Sequence, residues 1–408
     1  MPLTRPRQPE ANSAQIDPGA RVIIKHPGYD DSENIMIILA GFDRNDGNSK
    51  PGLHFGTTSA ICAIISGSHG GYFSKNKDGN EEARLHHQPD DLLEAGECYY
   101  HVPNEPQYAV YPSFEHWQFP HNDLPEPYTH SGPSSFSTGV FSTAVSQAPA
   151  EVMSRDKRCL ISRQRDYKET CHLCPKKELP WFQRNNMRLY NTNSFLAADD
   201  LVNDTSNMVA LRRDLHKAFD ERFLSFVWKE HGWTTHFIKP TKDLGLQYHN
   251  MPVSLSDGIS TQFLYTRLAW AVFPLVKTFL VSASKRWVTL RVIEKDGKAK
   301  WQKEYLDKDE ISKRVPKSQS PLKRKLNDET GPEEMESNGH TRGDSRDSEA
   351  TDSECWEDED SLMRGRRRRR KFSDSSVSSQ SSIGSGIKTQ IHQSAKSELA
   401  YCDLSPRG

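Results

Sequence analysis

Three stretches, RCLIS at 158–162, CHLCP at 171–175 and SNMVALRRDLHKAFDERF at 206–223, decide how this chain is read. The first, and the segment leading into the second, are short candidate strands with the polar turn RQRDYKE (163–169) between them, the pattern of a β-hairpin. In the third, Met208, Leu211, Leu215 and Phe219 recur at spacings of three, four and four, one apolar stripe along a helix that buries it. His216 and Asp220 stand four positions apart on the neighbouring face, so the helix can bury one side and present both polar groups on another. His172 closes the predicted hairpin. Arg212, Arg213 and Lys217 surround the helical pair, where basic side chains attract phosphate.

Working outward, the 408 residues suffice for more than one folded domain, yet only 34% are hydrophobic against 27% charged, so part of the length is expected to stay unfolded. Residues 1–20 read as a disordered N-terminus and 21–130 as an N-terminal mixed α/β domain. In the latter, RVIIKHPGY and NIMIILAGF are paired strands, SAICAIISGSHGGYF is an apolar run ended by glycines, and ECYYHV and YAVYPSFEHWQFPH are aromatic and extended. Residues 131–150 (SGPSSFSTGVFSTAVSQAPA) read as a flexible linker, 151–235 as the module built on the three stretches, and 236–312 as a helical extension. That extension contains ISTQFLYTRLAWAVFPLVKTFLV, where Pro274 should kink a buried helix; Leu268 to Val276 alone is too short to cross a bilayer. From 313 to 408 the chain turns into a charged tail expected to be disordered: KRK at 323–325, nine acidic residues within 344–360, RRRRRK at 366–371 and then a Ser-rich run. The fold class expected is therefore α+β.

The formal net charge of −1 favours neither a polyanion nor a membrane, so binding to nucleic acid must come from local clusters. Seven cysteines, an odd number scattered along the chain, do not read as a disulfide framework. MPLTRPRQPEANSAQ lacks the apolar core of a secretory signal, and the paired basic clusters in the tail point to nuclear entry, with the cytoplasm as the other location. Cutting a phosphodiester needs an activated water, a cation to neutralise developing charge, and groups that hold both in line. An imidazole and a cation site suffice, and His172 with the His216 and Asp220 pair offers both.

These residues resemble the HNH (His-Me finger) nucleases, and closely the branch found in many fungal proteins. The run RCLIS…CHLCP…WFQRNNM…DTSNMVALRRDLHKAFDERFLSFV carries the resemblance. A histidine is followed by a proline three positions on, Asn207 and His216 stand nine positions apart, and Asp214-Leu215-His216 and Phe219-Asp220 fall where that family has them. The resemblance implies a ββα-metal (HNH) module, in which a β-hairpin and one helix enclose a divalent cation. It implies His172 as the general base, Asn207 as the brace of the loop around that base, His216 as a metal ligand and Asp220 as a further one, with a 5′-phosphate product. Carboxylate and imidazole together suit Mg²⁺ or Mn²⁺. One position departs from the pattern: Cys171 stands where many members place a hard metal ligand, and a thiolate suits Zn²⁺ better. That departure keeps a second reading alive, a catalytically degenerate HNH-fold protein that binds nucleic acid or a protein. A third is a zinc module on Cys159, Cys171, Cys174 and a histidine, although no second CxxC accompanies the first and buried unliganded thiols are the plainer account. The expected partner is nucleic acid, DNA in the first instance, and no membrane.

Overall fold

The structure is a computed structural model that describes residues 19–43, 50–129, 147–230, 232–282, 285–294 and 299–314. The expected disordered N-terminus up to residue 18, most of the expected linker and the charged tail from 315 onward lie outside the described residues. Strand β1 (Arg21–Lys25) pairs antiparallel with β2 (Ile35–Ala40), Ile23 opposite Ile38, as the two β-branched runs predict. Strand β3 (Gly52–His54) runs straight into helix α1 (Phe55–Ser66), whose first turn is capped by the His54 ring accepting from the Thr57 amide. Gly67, at φ 70°, ends that helix in the left-handed conformation glycine adopts freely. Then come β4 (Tyr72–Ser74), β5 (Leu92–Glu94) and β6 (Gly96–His101). The sheet order is β2-β1-β6-β4, with β1 and β6 parallel, and β3 pairs with β5.

The second half begins with α2 (Ala148–Arg155), whose first residues fall inside the stretch expected to be linker, followed by β7 (Lys168–His172) and α3 (Leu179–Arg184). Strand β8 (Met208–Arg212) leads into α4 (Arg213–Asp220), and β9 (Leu224–Lys229) pairs with β10 (Gly232–Phe237). Helices α5 (Leu244–Tyr248), α6 (Thr261–Val272) and α7 (Lys277–Ser282) precede the hairpin of β11 (Lys285–Ile293) and β12 (Ala299–Asp307), and α8 (Lys308–Arg314) follows it. The architecture is mixed α+β, assembled from small sheets.

Two local readings of the sequence are corrected. RCLIS forms a turn and not a strand; β7 pairs with β8, which lies beyond the long connection 173–207. The turn still belongs to the site, because the Leu160 amide donates to Ala210 O at 2.9 Å and so lies along the other edge of β8. Met208 and Leu211 belong to that strand and not to the helix. In β8, Val209, Ala210 and Leu211 have no exposed surface and Met208 is 2% exposed, the signature of a strand buried on both faces. A fully buried strand carries apolar groups at every position, including those of a helical stripe, and burial of Val209 and Leu211 contributes roughly 1.5–3 kcal/mol each. The helix proper is α4, which buries Leu215, Ala218 and Phe219.

Helix α6 is buried at every position, so it is apolar all round where an edge helix would carry a polar face. Pro274 sits in the 3₁₀ turn Phe273–Val276 that breaks α6 from α7, as proline requires. By length and composition alone Thr261–Ser282 is long and apolar enough to cross a bilayer, but 72% of that window is buried inside the protein. The main apolar cluster, distinct from a smaller one of Ala148, Val152, Met208 and Ala210, runs from Val22 to Ile311. Its centre holds Trp117 and Trp181, stacked at 5.5 Å between ring centres, and the Trp181 indole N–H donates to Trp117 O at 2.8 Å. The aromatic segment 108–121 thereby packs directly on α3, which belongs to the β7 to β8 connection.

Candidate active site

Strand pairing sets the first geometry: Glu169 faces Leu211, Cys171 faces Val209 and His172 faces Met208 across β7 and β8. Helix α4 starts where β8 ends, so its His216 returns over β7. There the His216 Nδ1 lies 2.9 Å from Glu169 Oε2, and its Nε2 lies 3.2 Å from Asp220 Oδ2, one helical turn on. A ring with a carboxylate at each nitrogen donates at both, and the pKa of His216 is raised accordingly, first by Asp220 and then by Glu169. Burial pushes the Asp220 carboxyl up, but the hydrogen bond and charge of His216, helped by Arg267 and His172, bring it below the ordinary carboxylate range.

His172 is under the opposite influence. Burial, reinforced by the nearby charge of Lys176, lowers its pKa to about 4, so the imidazole is neutral at physiological pH. Asp220 and His216 both act on it electrostatically, which puts His172 in the same charged neighbourhood as the helical pair. Its Nε2 meets Asn203 Oδ1 at 3.2 Å.

Asn207 ends the 3₁₀ turn Thr205–Asn207 before β8 and is fully buried. Its Oδ1 accepts from the Cys174 amide at 2.8 Å, its Nδ2 donates to Cys174 O at 3.0 Å and to Val202 O at 2.8 Å, and its own carbonyl accepts from the Leu173 amide at 2.8 Å. Three of these bonds tie the chain just after His172 to the chain just before β8, which fixes where the imidazole leaves the backbone. Asp204 holds the rest of the connection by accepting from the backbone of Thr192, Asn193 and Ser206. From the other edge, Arg155 donates to Thr205 O and Met208 O, and Asp156 accepts from the Ala210 amide.

The other residues singled out by sequence have defined partners. Cys171 is fully buried, its thiol within 3.7 Å of Glu169 O, and burial, with the Asp220 charge, pushes its pKa well up. Cys159 Sγ accepts from the Ser162 and Arg212 amides. All five cysteines among the described residues are free and buried. Arg212 makes a bidentate pair with Asp214 at 2.7 Å and also reaches Gln164, Arg213 Nε donates to Glu169 Oε1 at 2.6 Å, and Lys217 stays exposed, 3.9 Å from Glu221. Beneath α4, the buried guanidinium of Arg267 lies 3.4 Å from the Phe219 ring centre, donates to Phe219 O, and has no partner for Nε and Nη1 among the described residues.

Sequence reasoning missed Glu169 and Asn203. Glu169 looked like part of a turn, and its role depends on the β7 to β8 register; Asn203 looked like loop, and its contact depends on how the connection folds back. A carboxylate on the Nδ1–H of a metal-ligating histidine fixes the ring and leaves Nε2 for an ion, the arrangement common around metal centres. His216 Nε2 and the Asp220 carboxylate thus fit a hard divalent cation, and Glu169 fits as the support behind His216.

A second group gathers Asp43, His236 and His249 closely enough to share an ion. Its hydrogen bonds argue otherwise. His249 Nδ1 accepts from the Phe237 amide at 3.1 Å, so in the neutral ring Nε2 carries the proton and donates to Asp43 Oδ1 at 2.9 Å, which leaves no lone pair for a metal. Lys229 Nζ sits 2.7 Å from the same oxygen, and Asn250 Nδ2 and the His54 amide complete the carboxylate's partners. Lys229 and His249 hold the Asp43 carboxyl well below its ordinary range against burial. The node is charge-balanced without a cation.

Against this geometry, the sequence model of the HNH endonuclease family matches residues 159–227, the span from the turn preceding β7 into β9. The match supports an HNH-type domain over those residues, and that family implies nucleic acid as the partner. No curated protein and no solved structure matches the chain.

Proposed function

We propose that this domain hydrolyses phosphodiester bonds of DNA in a cation-dependent reaction, with His172 as general base and His216 and Asp220 as cation ligands. The observation that carries the reading is a histidine kept neutral by burial beside a helical histidine and carboxylate that offer a cation site. His172 takes the proton from the attacking water, a task that needs an unprotonated nitrogen at neutral pH. Asn207 keeps that ring in place, and Glu169 orients His216. When bound, Mg²⁺ or Mn²⁺ supplies Lewis-acid stabilisation of charge at the leaving oxygen. Lys217, exposed on α4, is the basic residue placed to meet phosphate, and Arg213 joins it on leaving Glu169. The second reading, a nucleic-acid-binding module without catalysis, draws on the neutral, buried Cys171, which removes one ligand that related sites use. Plasmid nicking by the purified full-length protein across Mg²⁺, Mn²⁺, Ni²⁺ and Zn²⁺ decides between them. Nicking that is absent with every cation leaves the binding module, and nicking that survives His172→Ala refutes the assigned base.

A further inference from the structure

We propose that Asn203, held by Asp200, is the positioning residue that commits His172 to one tautomer, with its proton on Nε2 and a bare lone pair on Nδ1. The inference rests on His172 acting as base, but its geometric ground is separate. Asn203 and Asp200 lie on the 3₁₀ helix Ala198–Asn203, at the far end of the β7 to β8 connection. Asp200 Oδ1 is 3.1 Å from Asn203 Nδ2 and can only accept, so the amide must turn its NH₂ toward Asp200. Its carbonyl oxygen then faces His172 Nε2 at 3.2 Å. A carbonyl also only accepts, so Nε2 carries the hydrogen. In the neutral ring the other nitrogen, Nδ1, is then left unprotonated. The carboxylate at one end of the relay therefore selects the nitrogen that removes a proton at the other, through an amide that cannot be read both ways.

The relay is anchored independently of the ring. Asn207 Nδ2 bonds Val202 O, next to Asn203, and the Asn207 amide bonds Asp204 O, so Asn203 is bracketed by residues tied to the brace. Asp200 is in turn seated by its own amide donating to Ala197 O at 2.9 Å.

The test is ¹⁵N NMR of the histidine rings in the full-length, ion-free protein at neutral pH, with His172 assigned by its loss in His172→Gln. The wild type should show a single tautomer protonated at Nε2. Asn203→Ala should mix the two tautomers and lower kcat by about tenfold or more with little change in KM, as expected for a proton-transfer step. Asn203→Asp keeps an acceptor toward the ring, so it should keep the tautomer while moving the acid limb of the rate profile to higher pH, a shift that loss of packing would not produce. Asp200→Asn removes the selection and should mix the tautomers with Asn203 intact. A wild-type ring protonated at Nδ1, or an Asn203→Ala protein that keeps both tautomer and rate, overturns the proposal. An Nε2-protonated ring, sensitive to Asn203, in a protein that nicks nothing upholds the relay and defeats the nuclease reading.

Discussion

Two clusters in this chain join histidines to carboxylates, and they use their hydrogen bonds in opposite ways. Around Asp43 most valences are spent inside the protein, although the buried His236 Nδ1 has no hydrogen-bond partner among the described residues: Lys229 balances the charge, and His249 is locked between the Phe237 amide and Asp43. Around His172 and His216 the same residue types are spread out, with one ring neutral and meeting a carbonyl, the other doubly donating to carboxylates that retain solvent exposure. In the tighter cluster, His249 thus has no lone pair left for an ion and Asp43 is already engaged by four donors. Proximity of ligand types is a weak guide, and what counts is whether a lone pair remains once the protein's own donors have been served.

That contrast can be broken most sharply by paired substitutions. His172→Ala should cost about 10²–10⁴-fold in nicking rate, the usual worth of a positioned base, while leaving the urea midpoint near wild type. Asp43→Ala should do the reverse: loss of a buried partner of Lys229 should cost about 3–5 kcal/mol in urea unfolding, and Asp43→Leu combined with Lys229→Met should recover much of it. If Asp43→Ala instead abolished stoichiometric metal in the purified protein, the saturated reading of that node would fail. Glu169→Ala should weaken Mn²⁺ binding by about 10–100-fold in calorimetry, with Glu169→Gln in between, because a supporting carboxylate orients the ligand ring.

Acidity sharpens the comparison further. His216 has its pKa raised by two carboxylates, so it must release a proton to take an ion; Mn²⁺ affinity should therefore fall on acidification, starting above the ordinary histidine range. His172 has the opposite shift and remains unprotonated until the pH nears about 4, so kcat at saturating Mn²⁺ should hold while affinity is already declining. A kcat that fell in step with affinity would mean that the two rings do not divide their roles. The smallest effect expected on catalysis is from removing residues 315–408, which should leave nicking within about twofold at fixed salt; the basic clusters there are proposed to direct nuclear entry, measured by localisation of the truncated protein.

The parts legible in sequence were those set by local periodicity and by side chains on one element. His216 and Asp220 share a helical face because they are four apart, and Pro274 breaks its helix wherever that helix packs. What escaped depended on distant pairing. The spacing of Met208, Leu211, Leu215 and Phe219 mimicked one helix because a strand buried on both faces is apolar at every position, and the true partner of β7 lay beyond the 173–207 connection, where adjacency in sequence favoured RCLIS. Glu169 and Asn203 act only through that pairing and that connection, so no window of neighbouring residues could reveal them.

The β7 to β8 pairing also carries a consequence for synthesis. A ribosome that has extruded the chain as far as Asp220 has delivered every signature residue, yet α6, with the Arg267 that packs under Phe219, is still to come, and so is β11, whose Val288 bridges back to Val110. Pairings this remote in sequence form late, after the entropy of closing long loops has been met. The nascent polypeptide is therefore expected to lack the proposed activity until α6 and β11 have been made.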